Sequence, residues 1–215
     1  MTPQAMYTHL MKANAATPCD LFDGHVLACV FAVAADECSA GGLFTDALGI
    51  CGSSLRCNIE RYFPGTLESL EMFKLDVEPI INEDEKCLRE LLQRFRTASS
   101  PINSLLTLLV ARRATRPNHL WQDLGLANRG ELSRLMMRHF VTLARRNDQD
   151  MKWKKFFYRM ICRDDGFNMC VAPSCSECGD FDACFGSESG ESLLARTRFH
   201  GEAPQLTRIE PSYAQ

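Results

Sequence analysis

Long apolar runs are missing from this chain of 215 residues. The longest, Val26 to Ala35, is ten residues, about half of what a helix needs to cross a bilayer. The opening residues MTPQAMYTHL lack the basic segment and apolar stretch of a secretory leader. Strand-like alternation of useful length is absent, and so is any internal repeat. No GxSxG, no HExxH and no phosphate-cradling glycine loop occurs, so no hydrolytic or nucleotide-binding constellation is indicated. The expectation is a soluble, cytoplasmic chain that does not span a membrane and is not a turnover enzyme.

What is present is enough for a core: 46% of residues are hydrophobic and 24% charged, the balance of a folded domain. The net charge of −3 conceals an asymmetry. Residues 1–111 carry 8 Lys/Arg against 14 Asp/Glu, residues 112–163 carry 13 against 4, and residues 164–215 carry 3 against 9. The middle third therefore stands at +9 between two segments of −6. Such a field attracts anions, acidic partners or nucleic acid. With a pI near 6.0 and no helix-turn-helix or RNP pattern, nucleic acid is not an expected partner.

Helical periodicity runs nearly everywhere before residue 165. Leu21 to Cys38 is almost continuously apolar, without Pro and with few β-branched residues, and reads as a buried helix that Gly24 weakens. Ser54 to Phe63 is helical up to the Pro64-Gly65 stop. Asn82 with Glu85 opens a helix with an inward stripe of Leu88, Leu91, Leu92 and Phe95. Ser100-Pro101 starts the next, through Leu105, Leu106 and Leu109 to a basic end at Arg112 and Arg113. Asn128 with Glu131 starts another, with Leu132, Leu135, Met136, Phe140 and Leu143 inward and Arg134, Arg138 and Arg145 outward. After Asp150, the residues Trp153, Phe156, Phe157, Met160 and Ile161 form a stripe, with Lys152, Lys154, Lys155 and Arg159 facing away; this helix is expected to end by Gly166. The fold class is all-α: an irregular helical bundle over 1–165, a C-terminal cysteine-rich metal-binding loop over 166–186 packed on it, and a flexible, disordered tail over 187–215.

Eleven cysteines are many for such a chain, and the odd number argues against a complete disulfide framework. Cys19, Cys29, Cys38, Cys51, Cys57 and Cys87 have no ligand spacing and read as small buried hydrophobes. The other five fall within 23 residues, four of them as Cys170-VAPS-Cys175-SE-Cys178-GDFDA-Cys184, C-x4-C-x2-C-x5-C. Four thiols in one short loop converge on one centre without help from the rest of the fold. Thiolates select zinc, Cu(I) and iron-sulfur clusters. The single C-x2-C knuckle with no nearby His is unlike the usual structural zinc sites, and the first three spacings match plant-type ferredoxins. The spacing thus places an iron-sulfur cluster ahead of zinc, and zinc ahead of redox-active thiols. Cys162 is a candidate fifth ligand, with core packing as the blander alternative. The same holds for His139 on its helix and for His119 before the turn at Gly125.

The segment MKWKKFFYRMIC, Met151 to Cys162, followed by GFNMC and the cysteine motif, resembles the C-terminal region of the NifQ family of nitrogen-fixation proteins. NHLWQDLGLANRGELSRLMMRHF, Asn118 to Phe140, is similar to that family as well, so the resemblance spans about residues 115–186. It implies a cytoplasmic iron-sulfur protein that carries molybdenum in a Mo-Fe-S cluster. Such a protein donates it to the assembly scaffold NifEN, with the nitrogenase iron protein NifH involved, in making the iron-molybdenum cofactor. Carried over, the cluster-binding residues are Cys170, Cys175, Cys178 and Cys184, holding a 3Fe-4S or 4Fe-4S iron-sulfur cluster. A vacant corner of such a cluster would take molybdenum, arriving as molybdate or a reduced molybdenum species. Lys152, Lys154, Lys155 and Arg159 are candidates to attract that anion or to dock an acidic partner, against the blander reading of a solvated helix face. A zinc-stabilised helical interaction module and an Fe-S redox or electron-transfer protein remain the alternatives.

Overall fold

The computed structural model describes residues 1–164, 181–188, 190 and 192–194. Among them every regular element is a helix and no strand occurs. Helix α1 (Pro3–Asn14) is capped by Thr2, whose hydroxyl accepts from the Ala5 amide at 3.2 Å, and lies against α2 (Leu21–Ser39). Asp20 caps α2 by accepting from the Phe22 and Asp23 amides, a fit of donor and acceptor at a helix start. Gly24 is explained by this crossing: a Cβ there would lie 2.0 Å from Asn14 Oδ1. Without it, Asn14 could not settle between the two helices and donate to the Tyr62 carbonyl at 2.9 Å.

From Val26 to Ala32 every residue of α2 is buried, so this helix is the axis of the core. Around it come α3 (Phe44–Leu48), α4 (Gly52–Tyr62) and α5 (Leu67–Glu71), with Phe31 edge-on to Phe44 and Phe63 at 5.7 and 5.4 Å. Helices α6 (Glu83–Arg94) and α7 (Pro101–Ala114) pack as a pair, capped by Asn82 and Ser100. Short α8 (Leu120–Asp123) leads to α9 (Arg129–His139), capped by Asn128. The stripe that continues to Leu143 suggested one helix, but the chain breaks at Phe140 (φ −138°, ψ 46°) and restarts as α10 (Val141–Ala144). The break is held by the His139 carbonyl, which accepts from the Thr97 amide at 2.8 Å and from Asn103 Nδ2 at 3.0 Å. Helix α11 (Trp153–Asp164) lays Trp153, Phe156, Phe157 and Met160 into the core and packs on α6; α12 (Phe181–Phe185) follows.

Arg112 and Arg113 form the basic end of α7 as expected, and both are buried there. Arg112 pairs with Glu85 at 3.1 Å and Asp46 at 3.0 Å, and Arg113 with Glu37 at 2.6 Å. Of the first six cysteines only Cys29 is buried, Cys57 is exposed and the others are half-buried. Where a tail was expected, the described residues Ser192 and Leu194 are buried against the body.

Candidate metal centre

Three of the four motif thiols, Cys170, Cys175 and Cys178, lie outside the described residues. The fourth, Cys184, sits on α12, half-buried and outside any disulfide. Its main-chain carbonyl accepts from the Lys152 amide at 2.8 Å, and Lys152 Nζ donates to the Asp182 carbonyl at 2.9 Å. Residue 152 thus ties α12 to the start of α11 with two hydrogen bonds, neither of which involves the sulfur. The donor chemistry fits a thiolate-held centre: a cysteine packed against the core and positioned through its main chain. Among the described residues no three His, Cys, Asp or Glu side chains come together as a metal site.

Cys162 is on the last full turn of α11, half-buried. It lies ten residues beyond Lys152, roughly 15 Å at the rise of a helix. It and Cys184 therefore stand at opposite ends of α11, which speaks against one small cluster using both. His139 is in the core between three helices. Its Nε2 lies 2.9 Å from Asp23 Oδ1 and its Nδ1 3.1 Å from Asn103 Oδ1, so both ring nitrogens are already engaged. His119 caps α8, where its Nδ1 lies 3.6 Å from Glu188 Oε1.

The basic residues Lys152, Lys154, Lys155 and Arg159 do not form one face. Lys152, Lys154 and Lys155 line a cavity of about 520 Å³ together with Asn118, His119, Gln122, Ala183 and Glu188. Arg159 lines a different one, of about 550 Å³, with Arg146, Asp148 and Phe156. Lys154 is not solvated. Its Nζ donates to the Arg116 carbonyl and lies 2.5 Å from Asp123 Oδ2, and its side chain is 18% exposed. Burial pushes its ammonium below the ordinary lysine value, against the pull of Asp123. Only Lys155 is fully exposed among the three.

Two residues that the sequence reading passed over complete this corner. Glu188, its side chain 7% exposed, pairs with Arg129 at 2.9 Å, latching the segment after α12 to the start of α9. Arg129 in turn holds Asp150 at 2.8 Å. The apolar pair Leu193-Leu194 in an otherwise polar stretch is the signal that this segment returns to the body, since Leu194 is buried.

The sequence profile of the NifQ family matches residues 26–186, from the core of α2 to just past α12. The chain belongs to the NifQ family. The match includes the whole cysteine motif, Cys170 to Cys184, and all three cavity lysines. A NifQ homolog of Sinorhizobium fredii is 42% identical over 194 residues, covering 86% of this chain and 83% of its own. NifQ of Rhodobacter capsulatus is 35% identical over 182 residues, 84% of this chain and 99% of its own. NifQ of Klebsiella pneumoniae is 54% identical over a shorter stretch of 69 residues, 32% of this chain and 41% of its own. No solved structure matches. Membership in the NifQ family places the chain among the accessory proteins of nitrogen fixation. No helix among the described residues is long and apolar enough to cross a membrane.

Proposed function

We propose that this NifQ protein is a cytoplasmic iron-sulfur protein that captures molybdenum and donates it for nitrogenase iron-molybdenum cofactor biosynthesis. Its partners in this reading are the scaffold NifEN and the iron protein NifH, and it carries its cargo rather than turning over a substrate. Cys170, Cys175, Cys178 and Cys184 would hold the cluster, of the 3Fe-4S or 4Fe-4S type. Its sulfides would supply soft ligands for reduced molybdenum. The observation that supports the reading is the placement of Cys184, a half-buried residue tied by its main-chain carbonyl to Lys152 at the edge of a cavity lined by three lysines. Lys152 orients α12, Lys154 is locked to Asp123, and Phe156 and Phe157 close the apolar side of α11.

The test is metal and sulfide analysis with an absorption spectrum, on protein purified without oxygen from molybdate-fed cells. Brown protein containing iron, sulfide and molybdenum, all lost in the Cys175→Ala/Cys178→Ala variant, is the expected result. Colourless protein with one zinc would overturn it in favour of a zinc-stabilised module. Brown protein that bleaches reversibly and never holds molybdenum would make it an electron carrier.

A further inference from the structure

The cavity at the start of α11 is rich in positive charge. Four cations stand in or behind its wall: Lys152, Lys154, Lys155 and Arg129. Two of them are committed, Lys154 to Asp123 at 2.5 Å and Arg129 to Glu188 at 2.9 Å. Glu188, the one carboxylate of the cavity lining, is thus neutralised in place. Lys152 and Lys155 have no ion pair among the described residues; the Lys152 ammonium bonds only a neutral carbonyl. Two unpaired ammonium groups therefore face one cavity, with the side chains of Asn118, His119 and Gln122 on the same wall. Ammonium groups and neutral hydrogen-bond donors around a partly dry space hold a compact anion of matching charge. Ala183, the residue before Cys184, forms another part of the wall.

We propose that this cavity is a docking site for a tetrahedral oxyanion of charge −2, held by Lys152 and Lys155. The inference rests on the molybdenum reading above for the identity of the physiological ligand, molybdate. The site itself is independent of the cluster, because each residue that builds it is fixed by α8, α11 and α12. Arg159 takes no part, since it opens on the other cavity.

The experiment uses the full chain in its cluster-free form, the Cys175→Ala/Cys178→Ala variant, in equilibrium dialysis against labelled molybdate, with tungstate and sulfate as competitors. One molybdate per chain is expected, displaced by tungstate and weakening steeply with salt. Adding Lys152→Gln or Lys155→Gln should each lower the affinity about tenfold, while Arg145→Gln, exposed on α10, leaves it as it was. Circular dichroism of each variant verifies the fold. No retention by folded cluster-free chain, or equal retention with both lysines replaced, overturns the site. Should cluster-free protein bind molybdate while the wild type never acquires iron or molybdenum, the docking site stands and the carrier reading falls. Should the wild type load molybdenum while the cluster-free chain binds none, the carrier reading stands and the docking site falls. Displacement by sulfate as readily as by tungstate confirms the oxyanion class and moves the choice of metal to the cysteine loop.

Discussion

His139 shows how a metal-ligating residue type becomes a piece of scaffold. It joins Asp23 on α2 to Asn103 on α7, and Arg138 next to it pairs with the same carboxylate at 3.1 Å. Breaking such a buried network leaves its partners unpaired. His139→Ala is expected to lower stability by about 2–4 kcal/mol, read from urea unfolding, with the metal content per folded chain unchanged. A fall in metal content at unaltered stability would make it a ligand instead. Cys38 gives a second prediction at this scale. Burial, assisted by Glu37, pushes its thiol up to about 11 from 9.0. At pH 8 its thiolate is therefore about a hundredfold scarcer than that of a free cysteine, and iodoacetamide should modify it about a hundredfold more slowly. Between pH 9 and 11 the unfolded chain loses this proton and the folded chain keeps it, so this residue's contribution to stability falls as pH rises. Mass spectrometry of timed alkylation checks the first claim, and the Cys38→Ala variant in alkaline unfolding checks the second.

At the scale of the element, α11 is the piece on which the site depends. Phe157 is wholly buried on it, between Trp153 and Phe156, with ring centroids at 6.0 and 6.3 Å. Phe157→Ala should cost about 3–5 kcal/mol in chemical unfolding, against about 0.5 kcal/mol or less for Lys155→Ala on the exposed side. Equal losses for the two would mean that α11 is not docked by its aromatic stripe. The long helices were legible in the sequence because their signals are local. Asn82, Ser100 and Asn128 each bond an amide three residues on, and each had been read as a start. The break at Phe140 was not legible: the apolar spacing continues through it, and the groups that hold it, Thr97 and Asn103, lie about forty residues earlier. The motif thiols stand out by spacing, and their joint role as ligands is the proposal above. The surroundings of Cys184 were not legible, because Lys154 meets Asp123 and Arg129 meets Glu188 only once α8, α9 and α12 have been brought to α11.

For the whole molecule, the charge asymmetry along the chain is partly internal. Arg112, Arg113, Arg116 and Arg138 pair with Asp46, Glu85, Glu37, Asp20 and Asp23, so four cations of the basic middle segment are clasped by acids of the first hundred residues. Among the described residues one apolar core runs from Met6 to Leu194. Treating the cluster-loaded protein with an iron chelator is accordingly expected to remove its colour while leaving its far-UV helical signal and cooperative melting in place. Loss of the helical signal together with the metal would show a fold that depends on its ligand, as in a zinc finger.

The tie between Lys152 and the carbonyl of Cys184 bears on what happens after delivery. A donor that relied on sulfur–metal bonds to stay assembled would come apart each time it gave its cargo away, and every round would begin with refolding. In the proposed reading Cys184 keeps its address through the main chain, like a berth that remains moored when the ship has left. An emptied carrier would therefore be ready for reloading, and a small number of copies would serve repeatedly.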